Sequence, residues 1–304
     1  DVYKRQTYLY SAMADLAALK QKKSYTQALH RIWSNITDTR MHITGGLGAV
    51  HGIEGFGPQF LLPNADAFNE TCAAVGNVLF NFRMFLAHKD AKYLDVAEVS
   101  LLNNVLAAVN LEGNKFFYVN PLEADGKYPF NHGTMGRAPW FGTACCPSNM
   151  ARLLPQVQGM TYAHDDRNLY LAMYAETSTE LDIGGSRLAI SQTTEYPNKG
   201  RIEVSLDPQK PASFKLHLRI PTWAGEQFVP GKLYRYLNPS SETWKLSVNG
   251  ESVSSKTELG FATIDREWKK GDKVLLELPM PLRLNRCDEP VSYTHLTLPT
   301  IGCV

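Results

Sequence analysis

The sequence predicts an α+β protein in which a helical domain is followed by an antiparallel β-sandwich. Apolar residues recur every three or four positions up to about residue 164, whereas from about residue 168 they recur at every second position. Turn signals such as Asn249-Gly250 separate the alternating runs. A length of 304 residues suits about two domains of roughly 150 residues each. We therefore expect one domain over 7–164 and a second over 165–290.

The helical period is carried by five segments, at 8–19, 25–33, 67–87, 93–109 and 148–162. Two long connections, 44–64 and 112–143, interrupt them and are rich in Gly and Pro. Because loops of such length in a compact domain usually carry function, we expect the site on these connections. The strand period occupies seven runs, at 169–175, 188–195, 201–206, 214–220, 244–248, 261–265 and 273–278.

Composition argues against several classes of partner. The net charge is +1, with no long block of like charge, so we expect no nucleic-acid partner and a neutral substrate. No stretch approaches the roughly 18 apolar residues that a membrane helix needs, and we expect no membrane partner. Residues 1–6 and about 291–304 resemble translated sequencing adapter, which predicts a fragment of a longer protein from a bacterial metagenome. This leaves the location open between cytoplasm and periplasm.

Two short clusters hold four candidate ligands for a soft metal. Glu70 and Cys72 form the first, and Cys145 with Cys146 forms the second. Zinc binds Cys sulfur and carboxylate oxygen in tetrahedral sites. Residues two apart in a regular helix point about 200° from each other, so Glu70 and Cys72 must lie in a loop or a distorted first turn to share a metal. The alternative is a small core Cys beside a first-turn acid.

The vicinal pair Cys145-Cys146 directly precedes Pro147. Proline is favoured at the first position of a helix, so both thiols are predicted at a helix N-terminus, where the thiolate form is favoured. A vicinal disulfide redox switch and two inert buried thiols are the alternatives. The four cysteines within 7–290 are too few for a disulfide scaffold.

Glu54 is the lone acid of a Gly-rich loop with apolar neighbours. Apolar surroundings favour the protonated form of a carboxyl group, which a general acid needs, although a solvated loop carboxylate is the alternative. Polar and aromatic loop residues are further candidates because they suit a sugar site, and each of them also suits simple packing: Tyr118, Asn120, His132, Trp140 and Phe141.

Four short motifs carry a family resemblance: MHITGGLG at 41–48, LPN at 62–64, FNETCA at 68–73 and CCPSN at 145–149. In this order and spacing they resemble the β-L-arabinofuranosidases of glycoside hydrolase family 127, over about 7–290. The resemblance implies an (α/α)6 barrel followed by β-sandwich domains, with the early barrel helices missing from this chain.

The resemblance also implies roles for individual residues. Glu70, Cys72, Cys145 and Cys146 would bind Zn²⁺, with Cys145 also the nucleophile that forms a thioglycosyl intermediate. Glu54 would be the general acid/base, and Tyr118 would bind the sugar. The segment at 52–57 reads GIEGFG where family members more often have GEAF, a departure that bears on sugar preference.

The predicted function is that of a zinc-dependent retaining glycoside hydrolase that releases β-L-arabinofuranosyl residues from plant glycans. The alternative is a non-catalytic sugar-binding or structural zinc protein. We expect a carbohydrate as the partner, and a homodimer through the β-sandwich is the assembly we consider.

Overall fold

The computed structural model describes residues 3–48, 54–238 and 240–287, with residues 3–5 described by their backbone alone. Residues 1–2 and 291–304 of the predicted adapter segments lie outside this range, while residues 3–6 open the first helix. The helical region holds five α-helices: α1 (Tyr3–Lys20), α2 (Lys23–Thr39), α3 (Thr71–His88), α4 (Ala91–Ser100) and α5 (Cys145–Leu153). None of the described helices is long and apolar enough to cross a membrane.

Two predicted helices change geometry along their length. After α4 the chain continues as a π-helix (Leu101–Val105) and a short 3-10 helix, so the segment at 93–109 is helical but not uniformly α. After α5 the chain follows a 3-10 helix (Leu154–Met160) whose second residue is Pro155. Proline has no N–H and cannot continue the α-helical hydrogen bonding, which accounts for the change at this point.

Helix α3 forms the centre of the helical region. Most of its side chains are buried, and it packs against α1, α4 and α5. At Gly76 a Cβ atom would collide with the side chain of Thr7, so the glycine allows α1 to lie close to α3. Asp90 caps the following helix by accepting a hydrogen bond from the Lys92 N–H, 3.1 Å away. The start of α3, where two of the candidate ligands lie, is held by Thr71, which donates from its N–H to Tyr118 O at 3.0 Å and from its Oγ1 to Phe117 O at 2.8 Å.

The β region begins at residue 162 and contains three sheets in the described residues. The strands are β1 (Tyr162–His164), β2 (Asn168–Leu171), β3 (Thr177–Ile183), β4 (Ser186–Thr194), β5 (Arg201–Pro208), β6 (Ala212–Arg219), β7 (Tyr234–Tyr236), β8 (Lys245–Val248), β9 (Glu251–Ser252), β10 (Thr257–Glu258), β11 (Phe261–Trp268), β12 (Asp272–Glu277) and β13 (Asn285–Cys287). The sheet orders are β1-β2-β6-β11-β10, β3-β4-β5-β12-β8-β9 and β13-β7. The apolar faces of the two large sheets share one buried core.

All seven predicted strands are present, and most strand pairs are antiparallel as expected. One pair departs from the prediction, because β2 runs parallel to β6. The helix predicted over 148–162 ends earlier, at Met160, and Tyr162 is the first residue of β1 instead. The strands that were not predicted are short or polar. In β3, for example, only Leu181 and Ile183 are buried, so the alternation that predicts a strand is nearly absent.

A buried group of charged residues joins the helical region to the β region, and we call it the interface ion cluster (Asp95, Glu98 and Arg219). Arg219 on β6 donates to Asp95 Oδ1 of α4 at 2.7 Å and also to Glu98 Oε1. All three side chains are 5% exposed or less. Tyr196 adds a hydrogen bond to Glu98 Oε2 at 2.8 Å. The cluster therefore fixes α4 against the sheet.

Candidate metal centre and active site

The four predicted ligands converge at the starts of two helices. Glu70 immediately precedes α3 in an extended conformation (φ −61°, ψ 132°), and Cys72 is the second residue of the helix. The predicted break from regular helix at this point is therefore confirmed. Cys145 and Cys146 are the first two residues of α5, as expected. Pro147 occupies the third helical position rather than the predicted first, and both thiols therefore lie inside the first turn.

The distances within this thiol cluster (Glu70, Cys72, Cys145 and Cys146) are short enough for one ion. One ligand atom from each residue lies within 4.8 Å of all the others. The Sγ atom of Cys146 is 3.3 Å from that of Cys72 and 3.9 Å from that of Cys145. Glu70 Oε1 lies 3.6 Å from Cys145 Sγ and 3.8 Å from Cys146 Sγ. All these cysteines are free thiols, so the vicinal disulfide is not formed in this structure.

The buried thiols do not behave as the helix N-terminus predicts. The pKa of Cys146 lies well above its ordinary value, because burial and the neighbouring Cys145 and Cys72 thiols all disfavour a second negative charge. The pKa of Cys72 is also raised, first by its hydrogen bond with Cys145 and then by burial. The expectation that the helix terminus alone favours thiolate is therefore wrong for Cys146. A cation bound among these sulfurs would favour their charged form.

Tyr118 links Cys145 to Glu54 on one side of the thiol cluster. The Cys145 thiol donates to the Tyr118 hydroxyl oxygen at 3.2 Å, and the hydroxyl donates to Glu54 Oε1 at 3.3 Å. Glu54 adopts a left-handed backbone conformation (φ 46°), which is uncommon for a residue with a Cβ and recurs at functional sites. The loop residues 49–53 that precede it lie outside the described range. The structure thus brings together three residues that lie far apart in the sequence.

Asn149 and Tyr8 also lie beside the cluster, and the sequence analysis assigned a role to neither. Asn149 Nδ2 donates to Cys72 Sγ at 3.2 Å, and Arg152 holds the amide by donating to its oxygen at 3.3 Å. Burial, followed by the charge of Cys72, raises the pKa of Tyr8. Asn149 lies one helical turn after Cys145, so the helical period of α5 was the available signal. Tyr8 comes from α1 and offered no local signal.

The five polar and aromatic candidates from the second long connection are placed in different ways. The rings of Tyr118, His132 and Phe141 lie together, with centroids 4.2 Å apart for Tyr118 and His132 and 5.5 Å apart for Tyr118 and Phe141. Trp140 is 62% exposed on the same loop. Asn120 is used differently, because its amide donates to Asn69 O and to Thr71 Oγ1 beside Glu70. It fixes the backbone that carries this ligand.

Comparison with known proteins decides the family. Residues 5–159 match the description "Beta-L-arabinofuranosidase, GH127 catalytic domain", and residues 168–280 match "Beta-L-arabinofuranosidase, GH127 middle domain". The chain belongs to glycoside hydrolase family 127. The resemblance read from the four motifs is thereby confirmed, and the chain is a member of a glycosidase family.

Individual relatives cover nearly all of this GH127 chain. A non-reducing end β-L-arabinofuranosidase of Bifidobacterium longum subsp. longum is 30% identical over 94% of the chain, which spans 42% of that relative. The solved structure of a GH127 β-arabinofuranosidase shares 41% identity at a TM-score of 0.90, with 95% of this chain and 44% of that chain covered. A GH127 β-L-arabinofuranosidase from Geobacillus stearothermophilus T6 shares 33% identity at 0.87, covering 97% of this chain and 46% of that one. The chain thus spans less than half the length of these relatives.

Proposed function

We propose that this chain carries the catalytic centre of a zinc-dependent retaining glycoside hydrolase that releases β-L-arabinofuranosyl residues from plant glycans. One observation carries the proposal. The Tyr118 hydroxyl touches both Cys145 and Glu54 at the edge of a four-ligand cluster. A nucleophile and a proton donor therefore lie within reach of one small group, as a retaining glycosidase requires.

The residues present fit zinc. A tetrahedral site with Zn–S bonds of about 2.3 Å places neighbouring sulfurs about 3.8 Å apart. The sulfur pairs of Cys146 with Cys72 and with Cys145 lie at 3.3 and 3.9 Å, near that value. Three thiols and one carboxylate are also the donor set that a soft divalent metal prefers. Glu70, Cys72, Cys145 and Cys146 would hold the ion, which when bound keeps the thiols deprotonated at neutral pH.

The separation of the two catalytic candidates favours retention of configuration. Cys145 Sγ and Glu54 Oε1 lie 3.2 and 3.3 Å from the same hydroxyl oxygen. Their separation therefore cannot exceed the lower end of the range of about 6.5–9.5 Å that is typical of inverting pairs. Direct attack by the thiolate is the step that this geometry supports.

The proposed reaction has two steps. The Cys145 thiolate forms a C–S bond to the anomeric carbon while the glycosidic C–O bond breaks, and Glu54 gives its proton to the leaving oxygen. Glu54 then takes a proton from water, whose oxygen attacks the anomeric carbon as the C–S bond breaks and the thiolate returns. Tyr118 orients both groups through its hydroxyl and lies where it can contact the sugar.

For the architecture, we propose that residues 7–164 belong to an (α/α)6-barrel catalytic domain and that residues 165–290 form a β-sandwich domain. The helical region and the two large sheets support this division, and so does the change in secondary structure near residue 162. The homodimer through the β-sandwich stays a prediction.

The test compares the chain with its Cys145→Ser and Cys72→Ser variants for bound zinc, hydrolysis of an L-arabinofuranoside and unfolding temperature on the same preparations. We expect about one zinc per chain, with turnover reduced roughly 10⁴-fold in folded Cys145→Ser. Cys72→Ser should lose zinc and stability together. A mass adduct of the sugar on Cys145, trapped with an activated glycoside, would identify the intermediate. We expect the chain by itself to be inactive, so hydrolysis is scored on a protein of the relatives' full length that contains it. Zinc binding without hydrolysis by that protein would instead support the structural or sugar-binding alternative.

A further inference from the structure

We propose that His132 binds a hydroxyl group of the leaving group, on the solvent side of the bond that is cleaved. This inference rests on the proposed function, and it assigns a specificity-determining residue that neither the family match nor the thiol cluster identifies. The leaving group would be a second sugar unit, because a sugar presents hydroxyl groups to an imidazole whereas a simple aryl group does not.

His132 is placed against the residue that joins the two catalytic candidates. Its ring centroid lies 4.2 Å from that of Tyr118 and 5.8 Å from that of Phe141. Tyr118 and Phe141 are buried, whereas His132 is exposed. Within the part of the chain that the structure describes, no hydrogen bond occupies either ring nitrogen of His132. The imidazole thus packs on both rings at a steep angle, 58° to Tyr118 and 66° to Phe141, and its two nitrogens are available to a ligand.

The loop holds His132 firmly in this position. The neighbouring Asn131 is fully buried, and its side-chain oxygen accepts from the backbone N–H groups of Tyr118 and Val119 at 2.7 and 3.3 Å. Its amide nitrogen donates to the carbonyl of Gly136 at 2.8 Å. The turn that carries His132 is therefore clamped to the segment that carries Tyr118. A binding residue held in this way loses little conformational entropy when a ligand arrives.

The backbone of His132 is also in an uncommon conformation. Its φ angle is 51°, in the left-handed region that glycine adopts most easily, and Gly133 follows it. Glycine or asparagine would adopt this φ more easily, and neither would reduce packing in the core because the position is exposed. The histidine at this position is consistent with a use for its ring, since strained residues collect at ligand sites.

The chemistry places the leaving group on the side of His132. Glu54 protonates the leaving oxygen, so the leaving group must lie next to Glu54 and face away from Cys145. Beside Cys145 the cluster residues Glu70, Cys72 and Cys146 are fully buried, whereas His132, which packs on Tyr118, is exposed. The released sugar therefore occupies the buried end of the site, and the rest of the substrate extends past the imidazole.

The turnover experiment uses the zinc-loaded full-length protein with His132→Phe, which keeps the ring contact with Tyr118 and removes both nitrogens. The control is His164→Phe, an exposed histidine on β1. For an arabinofuranosyl disaccharide we expect His132→Phe to lower kcat/KM about tenfold or more, and for a nitrophenyl arabinofuranoside to change it by less than about twofold. The control should match wild type on both substrates. Equal losses on both substrates would overturn the inference, since they would place His132 at the released sugar or in a purely structural role.

A binding experiment separates this inference from the proposed function. In the Cys145→Ser background, calorimetry measures the affinity for the disaccharide with and without His132→Phe. If His132→Phe weakens the affinity about tenfold and leaves the unfolding temperature unchanged, the inference is supported. This holds even if the protein that keeps Cys145 shows no hydrolysis, because that failure would count against the proposed function alone. If His132→Phe leaves the affinity unchanged, or if the disaccharide does not bind, the assignment of His132 is wrong even in an active hydrolase.

Discussion

The thiol cluster and the interface ion cluster are both groups of ionisable side chains, most of them buried. They differ in whether a positively charged side chain is among their members. In the interface ion cluster two carboxylates face the guanidinium of Arg219, with Asp95 at 2.7 Å. In the thiol cluster the carboxylate of Glu70 faces sulfur atoms at 3.6 and 3.8 Å, and every member gains negative charge when it ionises. Burying charge is costly unless it is compensated. A cluster that supplies its own counter-charge stabilises the fold by itself, whereas one made only of acids has the composition of a group that could hold a cation.

The largest effect on stability should come from breaking the interface ion cluster. Arg219→Met leaves Asp95 and Glu98 buried without their cation, which should lower the free energy of unfolding by about 3–5 kcal/mol. Chemical denaturation followed by tryptophan fluorescence measures this. Lys215→Met, on an exposed position of the same strand, is the control and should change stability by no more than about 0.5 kcal/mol.

Adding Glu98→Gln to Arg219→Met sharpens the test, because it removes one uncompensated charge. The double variant should recover part of the lost stability. If it is less stable than Arg219→Met alone, packing and hydrogen bonding would outweigh charge in this cluster, and the contrast with the thiol cluster would fail.

A smaller effect should appear as a pH dependence of the same cluster. Burial raises the pKa of Asp95 to about 6, although Arg219 opposes the shift. The folded state therefore binds this proton more tightly than the unfolded state does. The stabilising contribution is complete below about pH 4 and is lost as the pH rises through about 6, an effect on the order of 1–3 kcal/mol.

Urea denaturation between about pH 4 and 7 checks this dependence by comparing the chain with Asp95→Asn. In Asp95→Asn, the free energy of unfolding should change less with pH, because the contribution of this carboxyl group is removed. Asp265→Asn, at an exposed position, should keep the pH dependence of the unmodified chain. If the free energy of unfolding changes equally with pH in the chain and in Asp95→Asn, the excess negative charge of the cluster is not neutralised by protonation of Asp95.

The smallest effect should come from Tyr118→Phe, and it should fall on activity alone. The variant removes the hydroxyl that contacts Cys145 and Glu54 but keeps the ring that packs on His132 and Phe141. We expect kcat to fall about tenfold, or roughly 1.4 kcal/mol, with zinc content and unfolding temperature unchanged. Tyr128→Phe, exposed on the same loop, is the control. Loss of zinc in Tyr118→Phe would mean that the hydroxyl supports the thiol cluster itself.

Local patterns predicted the fold and the ligands well where the signal lies within a few residues. The alternating runs predicted β4, β5, β6 and β12, and the two short clusters predicted all four members of the thiol cluster. Pro147 correctly indicated a nearby helix start, although it stands at the third position of α5 and not at the first. Such patterns depend only on the number of residues between two positions, which can be read from the sequence.

Contacts between distant segments could not be predicted in this way. Arg219 lies 124 residues from Asp95, and nothing in the sequence around either residue indicates that they meet. The bond from Asn149 to Cys72 likewise joins residues 77 positions apart. The shift in thiol pKa was misjudged for the same reason, because burial by distant segments outweighs the local helix terminus at Cys146. The family resemblance supplied Glu54 and Tyr118, which their own neighbours left ambiguous.

Under the proposed function, an ion held by the thiol cluster would also cross-link distant parts of the chain. Cys72 and Cys146 are 74 positions apart, so an ion shared by them closes a long loop in the unfolded chain. A covalent bridge across a loop of this length removes chain entropy equivalent to roughly 4 kcal/mol. Loss of the proposed ion would then lower the free energy of unfolding of the chain as well as remove the proposed activity.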